Sequence, residues 1–505
     1  MMFNQMLKNK AEKNYQGGEA YRLTPELELY TAVVTSSLSN KFYEEKEEQM
    51  LRISNLVSQV SPEFVAKLAV YTRTQMNLRS IPLLLIVLLS KIHNGDDLVA
   101  RTIEKTVLRA DEIAELLMCY QLLNPSEGEK KLAKLSRQIQ NGLKSAFNRF
   151  DEYQFAKYDR SNAQVQLRDA LFLVHPKAKD DKQQELFDKI AQKKLEIPYT
   201  WETELSALGQ QKFESQEEKT MALRAKWEEL IFSGKVGYMA LLRNLRNMLN
   251  AQVSGSAMNH VADLLADEHQ VKNSKQLPFR FLSAYREIKG IESVNTQYVM
   301  SALETAIKHS TTNIEGFDEQ TSVLLACDVS GSMNCSISSK STLQYYDIGI
   351  LLAMLFKTRC KSVISGIFGN KWEVVNMPSD NILMATDQLK NLANKVGFST
   401  NGYKVIDYLI DNKKEIDKVM FFTDMQLWDS DGHNTSLRQS WERYKQRFPK
   451  SKLYLFDLCG YGVSPLKIAQ PDVYIVSGWS DRVFDVLSAI EKGTDAIEFI
   501  KKVKI

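Results

Sequence analysis

Cysteine is scarce: five in 505 residues (Cys119, Cys327, Cys335, Cys360 and Cys459), odd in number and far apart, with no Cys-x-x-Cys pair. That excludes a disulfide framework and a cysteine-built zinc site, and it points to a reducing compartment, so a cytoplasmic location is expected. The six histidines form no ligand cluster in the sequence. Long hydrophobic runs are missing too. The longest, Ile81 to Leu89, is too short to span a bilayer and reads as a buried helix. The start of the chain, Met1 to Lys8, carries no hydrophobic signal, so no membrane partner is expected. Charge of one sign is also lacking, since 65 basic and 62 acidic residues leave a formal net charge of +3. Neither side of residue 315 is a basic domain, and any nucleic-acid binding must rest on local patches.

What is present is ordinary globular material, 44% hydrophobic and 25% charged, in a chain too long for one core. From about residue 25 to about 310 the pattern is helical, with few glycines and almost no alternating runs. Ile53, Leu56, Val57 and Val60 keep helical spacing. Ser61-Pro62-Glu63 then supplies an N-cap with proline at the first helical position, and Phe64, Leu68 and Tyr71 continue the apolar face of the next helix. Short helices, each apolar on one side and separated by polar breaks, predict stacked helix pairs.

Near residue 310 the texture changes. After a polar connection, strands are predicted near 322–328, 361–368, 371–376, 417–424, 452–459 and 473–478. Helices are predicted near 342–358, 386–396, 402–412, 436–448 and 481–492. This alternation predicts a mostly parallel sheet with helices on both faces, and the Phe368–Trp372 break predicts one local hairpin. The apolar run Val323 to Cys327 stops at Asp328, followed by Ser330 and Ser332 around Gly331. In a doubly wound sheet, ligands bind beyond the carboxyl ends of the strands, so these oxygens converge on one spot. A second strand, Val419 to Thr423, ends at Asp424, and Gly397-Phe-Ser-Thr400-Asn-Gly402 offers another hydroxyl. Oxygen-only ligands suit a hard divalent cation, Mg2+ being the expected one, with one position left open.

Three stretches of the helical half are candidates for binding. Lys130, Lys134 and Arg137 fall on one predicted helical face opposite Leu132, Leu135, Ile139 and Leu143, a pattern that a solvated amphipathic face also explains. Tyr153 to Arg160 interleaves aromatics with Lys157 and Arg160, with Arg168 and His175 downstream; aromatics so spaced also serve as core. In Gly237 to Asn250, Leu241, Leu242, Leu245, Met248 and Leu249 are predicted to face inward. Arg243, Arg246, Asn247 and Asn250 form the opposite stripe, suited to phosphates or to bracing neighbouring helices.

Asp328, Ser330, Ser332, Thr400 and Asp424 resemble, in order and context, the metal-ion-dependent adhesion site of von Willebrand factor A domains. Through Tyr21–Tyr30, Glu63–Arg73, Tyr153–Tyr158, Leu173–Lys177, Thr200–Glu202 and Tyr238–Asn247, followed by the adhesion-site motif, the chain resembles the TROVE family, the Ro ribonucleoproteins, over nearly its whole length. The resemblance implies two domains: residues 1–315, a ring of HEAT-like α-helical repeats that binds RNA, and 316–505, a doubly wound α/β von Willebrand A domain that closes the ring. It implies small noncoding Y-like RNA on the outer surface and single-stranded or misfolded RNA ends in the central hole. Lys157, Arg160 and His175 would lie near the Y RNA surface, with Lys130, Lys134 and Arg137 as weaker candidates there, and the Arg243–Arg246 stripe on a ring surface or between helices. At the metal, Ser330 and Ser332 would ligate directly, Thr400 directly or through water, and Asp328 and Asp424 mainly through water, leaving the sixth place for an outside carboxylate. The site could equally serve to brace loops.

The expected function is therefore a monomeric, non-enzymatic RNA-binding scaffold for RNA stability or quality control, linked through its RNA to an exoribonuclease. The competing reading is a metal-dependent protein-interaction module whose A domain captures an acidic residue of a partner. A metal-dependent nuclease is disfavoured because no His, Lys or Glu stands beside Asp328 or Asp424 in sequence to act as base.

Overall fold

The computed structural model describes residues 11–36, 38–125, 134–159, 163–310, 320–339, 341–360, 362–377, 380–468, 472–479 and 482–505. The chain forms two compact units. One comprises Met1–Ile53 and Gly237–Phe499; the other comprises Ser54–Val236 and Ile500–Ile505. The strand-bearing segment 322–477 thus shares a unit with the first fifty residues and with the helices from Tyr238 to His309.

The second unit is helical. Ser61 caps the Pro62–Thr74 helix through the Phe64 N–H, with Pro62 in its first turn as its sequence predicts. The Ser80–Ile92 helix buries the whole Ile81–Leu89 run, and it packs between the Pro62–Thr74 and Asp111–Leu123 helices. Leu98–Thr106 crosses Arg137–Phe147 at Gly142, where a Cβ would stand 2.7 Å from the Ile103 Cβ, so only glycine lets the two backbones approach this closely. Inside this unit Arg73 pairs with the fully buried Glu112 at 2.7 Å. Among the described residues no helix is long and apolar enough to cross a membrane.

In the other unit the main sheet contains β3 (Ser322–Asp328), β4 (Ser362–Phe368), β5 (Trp372–Val374), β6 (Lys418–Thr423), β7 (Lys452–Asp457) and β9 (Val473–Ser477), in the order β5-β4-β3-β6-β7-β9. All neighbours are parallel except the β4–β5 hairpin. The six predicted strands and five predicted helices of this region are all present, with ends shifted by a few residues. Strand order reverses direction of winding between β3 and β6, which makes the crevice beyond their carboxyl ends the topological switch point. One face packs Leu324, Ala326, Val419, Phe421, Leu453 and Leu455 under the Tyr403–Asp411 and Leu437–Arg447 helices. On the other, Phe356 of the Tyr345–Lys357 helix meets the Phe422, Phe456 and Phe484 rings.

Two features had no local sequence signal. β1 (Ala11–Lys13) and β2 (Glu19–Arg22) form a hairpin whose second strand pairs with β8 (Val463–Ser464), making a small antiparallel sheet from segments far apart in the sequence. The Pro278–Ile288 helix is tied to the A-type fold by ions: the Arg286 guanidinium forks onto Asp347 at 2.7 and 2.6 Å and reaches Asp387 at 2.6 Å. Glu304 adds a second tie, accepting the Leu383 and Met384 N–H groups at the start of the Ile382–Val396 helix.

Candidate metal centre and basic surfaces

Each oxygen of the predicted cation site is delivered by backbone geometry at the switch point. β3 ends at Asp328, whose Oδ1 accepts the Ser330 N–H at 2.9 Å and whose Oδ2 accepts the Thr423 hydroxyl at 2.6 Å. The turn that follows sets the Ser330 and Ser332 hydroxyl oxygens 3.3 Å apart. Gly331 N–H donates to the Phe398 carbonyl at 3.0 Å, pinning the 397–400 loop against that turn and bringing in Thr400. The Thr400 hydroxyl donates to the Gln426 carbonyl at 2.9 Å, and Asp424 Oδ1 accepts the Gln426 N–H at 3.0 Å. The structure therefore brings together all five predicted residues, and each is at most 4% exposed.

The electrostatics of this cluster favour a cation. Burial, reinforced by the Asp424 charge, pushes the Asp328 carboxyl up to about 7, and burial raises Asp424 as well. Asp424 Oδ2 is buried with no hydrogen-bond partner. Two desolvated carboxylates with one oxygen unanswered, flanked by three hydroxyls, form a donor set that a hard divalent ion would satisfy; aliphatic hydroxyls and carboxylates are its ligand types. Among the described residues no group of three or more His, Cys, Asp or Glu is placed to hold a metal, so hydroxyls are an essential part of any site here.

Sequence reasoning missed the residues around these five. Across the sheet, Thr423, Asp457 and Ser477 stand in parallel register at the ends of β6, β7 and β9. Asp457 Oδ1 accepts the Cys459 and Gly460 N–H groups at 3.0 and 2.7 Å, while Asp457 Oδ2 and the Ser477 hydroxyl are buried without partners. The polar ending of the predicted 452–459 strand was the available signal for Asp457. No local signal pointed to Lys41, buried with its ammonium on the Cys459 carbonyl, or to Tyr43, whose phenol lies against Ser332 within the field of Asp424 and Asp328.

The basic candidates among the described residues belong to separate elements. Lys157 is exposed on the Glu152–Tyr158 helix, its ammonium 5.8 Å from the Tyr153 and Tyr158 ring centres. Arg109 also stacks on Tyr158, at 4.4 Å, and Arg168 lies 5.5 Å from the Phe172 ring centre. His175 is exposed in a left-handed conformation, φ 49°, ending the Leu167–Val174 helix. The single helical face expected for Lys130, Lys134 and Arg137 is not formed. Ser136 caps a helix that begins only at Arg137, so Lys134 precedes it in irregular backbone, with its carbonyl accepting the Tyr120 hydroxyl. Lys130 and Arg160 lie outside the described residues. The stripe on the Tyr238–Asn250 helix is as predicted: Arg243, Arg246, Asn247 and Asn250 are exposed and the five apolar residues are buried. Arg246 pairs with Glu287 at 2.6 Å, and Arg243 sits near enough to Arg280 to disfavour its charge, which burial already lowers.

Comparison with known proteins agrees with this architecture. The TROVE domain model matches residues 27–193 and 191–326, well over half of the chain. The chain belongs to the TROVE family. The Ro60 vWA domain model matches residues 322–490. Membership makes it an RNA-binding protein with a von Willebrand A-type domain. The crystal structure of the Deinococcus radiodurans RO (RSR) protein is similar at a TM-score of 0.60 and 16% identity, over 93% of this chain and 100% of that one, a likeness of fold. Telomerase protein component 1 of Rattus norvegicus and of Mus musculus are each 26% identical over 318 and 321 residues. That is 48% of this TROVE chain and only 12% of either relative's length.

Proposed function

We propose that this TROVE protein is a cytoplasmic, monomeric RNA-binding scaffold with no catalytic step of its own. In this reading its helical repeats form a ring that holds a small noncoding Y-like RNA on the outside and single-stranded or misfolded RNA ends in its hole, and the RNA recruits an exoribonuclease. The observation that carries it is the array of bases on aromatic rings in the helical unit: Lys157 with the exposed Tyr153 and the half-buried Tyr158, Arg109 on Tyr158, and Arg168 on the exposed Phe172, with His175 following. Structured RNA is bound mainly through phosphates and shape, and unpaired bases stack on aromatic rings, so such an array serves both without a basic net charge. Arg243 and Arg246 would contribute on their own helix. Asp328, Ser330, Ser332, Thr400 and Asp424 would hold Mg2+, which when bound supplies an anion-accepting position. Asp328 would hold the β3 turn and Thr400 the 397–400 loop around it.

Filter binding of a structured small RNA across a salt series tests this. Lys157→Ala with His175→Ala should weaken binding at every salt concentration and flatten the slope of log affinity against log salt by about 1 per charge removed. Asp328→Ala should leave that RNA bound. Unchanged binding in the double variant refutes the reading. The unsatisfied Asp424 Oδ2 favours a second reading, in which the A-type domain captures a partner's acidic side chain through the metal. Loss of a protein partner, but not of RNA, on chelation would support it.

A further inference from the structure

The metal site is walled by the start of the chain, and that wall is aromatic. Tyr15 and Tyr43 stack face to face, ring centres 5.0 Å apart and planes 1° off parallel. Phe42 meets Tyr43 edge-on, and Tyr461 closes against both tyrosines from beneath. Tyr43 touches the site through Ser332. Tyr15, Phe42 and, from the metal loop itself, Phe398 are 56%, 54% and 54% exposed, although rings of this size are ordinarily covered. A parallel stack whose outer ring keeps an open face is the form of a platform that a planar group extends.

The platform is also held at a set distance from the metal ligands. Tyr15 N–H donates to Gln426 Oε1 at 2.9 Å, and the same Gln426 fixes Asp424 through its N–H and Thr400 through its carbonyl. Asn14 holds the hairpin on the opposite side, donating to the Leu427 carbonyl at 2.7 Å and accepting the Gln16 and Gly18 N–H groups. Gly18 lies so close that a Cβ there would stand 2.5 Å from the Leu427 carbonyl oxygen. One residue therefore ties the backbone that carries the stacking ring to two of the five candidate ligands.

We propose that this rim is a second RNA site, dependent on the metal: one phosphate oxygen of a single-stranded segment takes the open coordination position while a neighbouring base stacks on Tyr15, with Phe42 and Phe398 flanking it. A phosphodiester carries the single negative charge that a carboxylate would bring to that position, and phosphate oxygens are ordinary partners of hard divalent ions. The half-exposed rings separate the two occupants, because an acidic side chain would use the metal and leave the stack idle. Duplex RNA, with its bases already stacked, is excluded. The proposal rests on the reading of the five residues as a cation site, and the test separates the two.

Terbium, which replaces divalent ions at oxygen sites and is excited by nearby tyrosine, reports metal binding directly. Binding of a labelled single-stranded oligouridine is then measured with Mg2+ and with EDTA, on Lys157→Ala/His175→Ala protein so that the outer surface contributes less, and the Mg2+-dependent part of the affinity reads the rim. Tyr15→Ala should bind terbium like the parent protein, with Tyr43 still present to sensitise it, yet lose roughly tenfold in oligouridine affinity, the scale of one lost stack. Asp328→Asn should lose both. An abasic ribose-phosphate oligomer should bind no better to the parent protein than oligouridine binds to Tyr15→Ala. If terbium does not bind, the metal reading and this one fall together. If terbium binds but oligouridine affinity is indifferent to EDTA or to Tyr15→Ala, the RNA rim alone is refuted. Mg2+-dependent binding of an oligoglutamate peptide that oligouridine cannot displace would assign the rim to a protein partner instead.

Discussion

Replacing Arg286 with methionine should loosen the joint between the Pro278–Ile288 helix and the A-type fold more than almost any other single change. The Arg286 side chain is 11% exposed, Asp347 is wholly buried and Asp387 is 18% exposed. Burial works against the guanidinium charge, but the hydrogen bonds and charges of Asp347 and Asp387 more than offset it and hold its pKa above the usual range. Without Arg286, Asp387 keeps Lys289, whereas among the described residues Asp347 keeps the Gln344 N–H, at 2.8 Å, and no counter-ion, and becomes a stranded buried charge. Breaking a buried pair from one side costs about 3–5 kcal/mol. Methionine restores some of the stem packing, so a loss of about 3 kcal/mol is expected in the unfolding transition of this unit. Adding Asp347→Asn removes the stranded charge while preserving the cap on Gln344, and should recover about 2 kcal/mol, a coupling read from the double-mutant cycle. Arg246→Met is the control: its pair with Glu287 is 57% and 42% exposed, and such pairs contribute about 0–1 kcal/mol. Urea unfolding followed by tryptophan fluorescence, with hydrogen exchange of residues 278–288 and 345–357, supplies the readout. A loss below about 1 kcal/mol in Arg286→Met, or additive effects in the cycle, would refute the view that this fork is the joint.

Two further outcomes follow from buried positions. Burial holds the Asp457 carboxyl up at about 6, against the backbone N–H groups that favour its charge, so the folded chain binds that proton more tightly than the unfolded chain. This contribution is present at pH 4 and lost as pH rises through about 6; with EDTA present, Asp457→Asn should therefore gain on the parent protein by up to about 3 kcal/mol between pH 4 and pH 7.5, and parallel stability curves would contradict it. Gly142→Ala should destabilise the helical unit by about 1–3 kcal/mol in thermal melts, because the new methyl meets Ile103 and the Ala100 backbone; an unchanged midpoint would show that the two helices separate freely.

The strands and the placing of the five candidate oxygen donors at their ends were legible because their signal is local. A fully buried parallel strand is a continuous apolar run, and Asp328 and Asp424 stand where such runs stop. The Tyr238–Asn250 stripe was legible for the same reason, being one period of one helix. Lys134 was misplaced because Ser136 ends the preceding irregular backbone by capping a new helix, a local alternative that outweighs the apolar spacing of Leu132 and Leu135. Ser477, Lys41, Tyr15 and Tyr43 were invisible as site residues, and Asp457 was signalled only by the polar ending of its strand. Register across parallel strands and a hairpin pairing more than four hundred residues away bring them together, and neither leaves a spacing in the sequence.

The pairing of β2 with β8 has a bearing on how the chain is made. Residues 19–22 leave the ribosome long before residues 463–464, so the hairpin and its rings wait through most of translation for the partner that shelters their backbone. The helices between residues 54 and 236 pack among themselves and can mature meanwhile, whereas the unit carrying the candidate cation site closes only after synthesis is nearly finished. Expression fragments that begin downstream of residue 53 would carry all five oxygen donors yet lack Lys41 and the aromatic wall, and they would present a rim that the intact protein does not have.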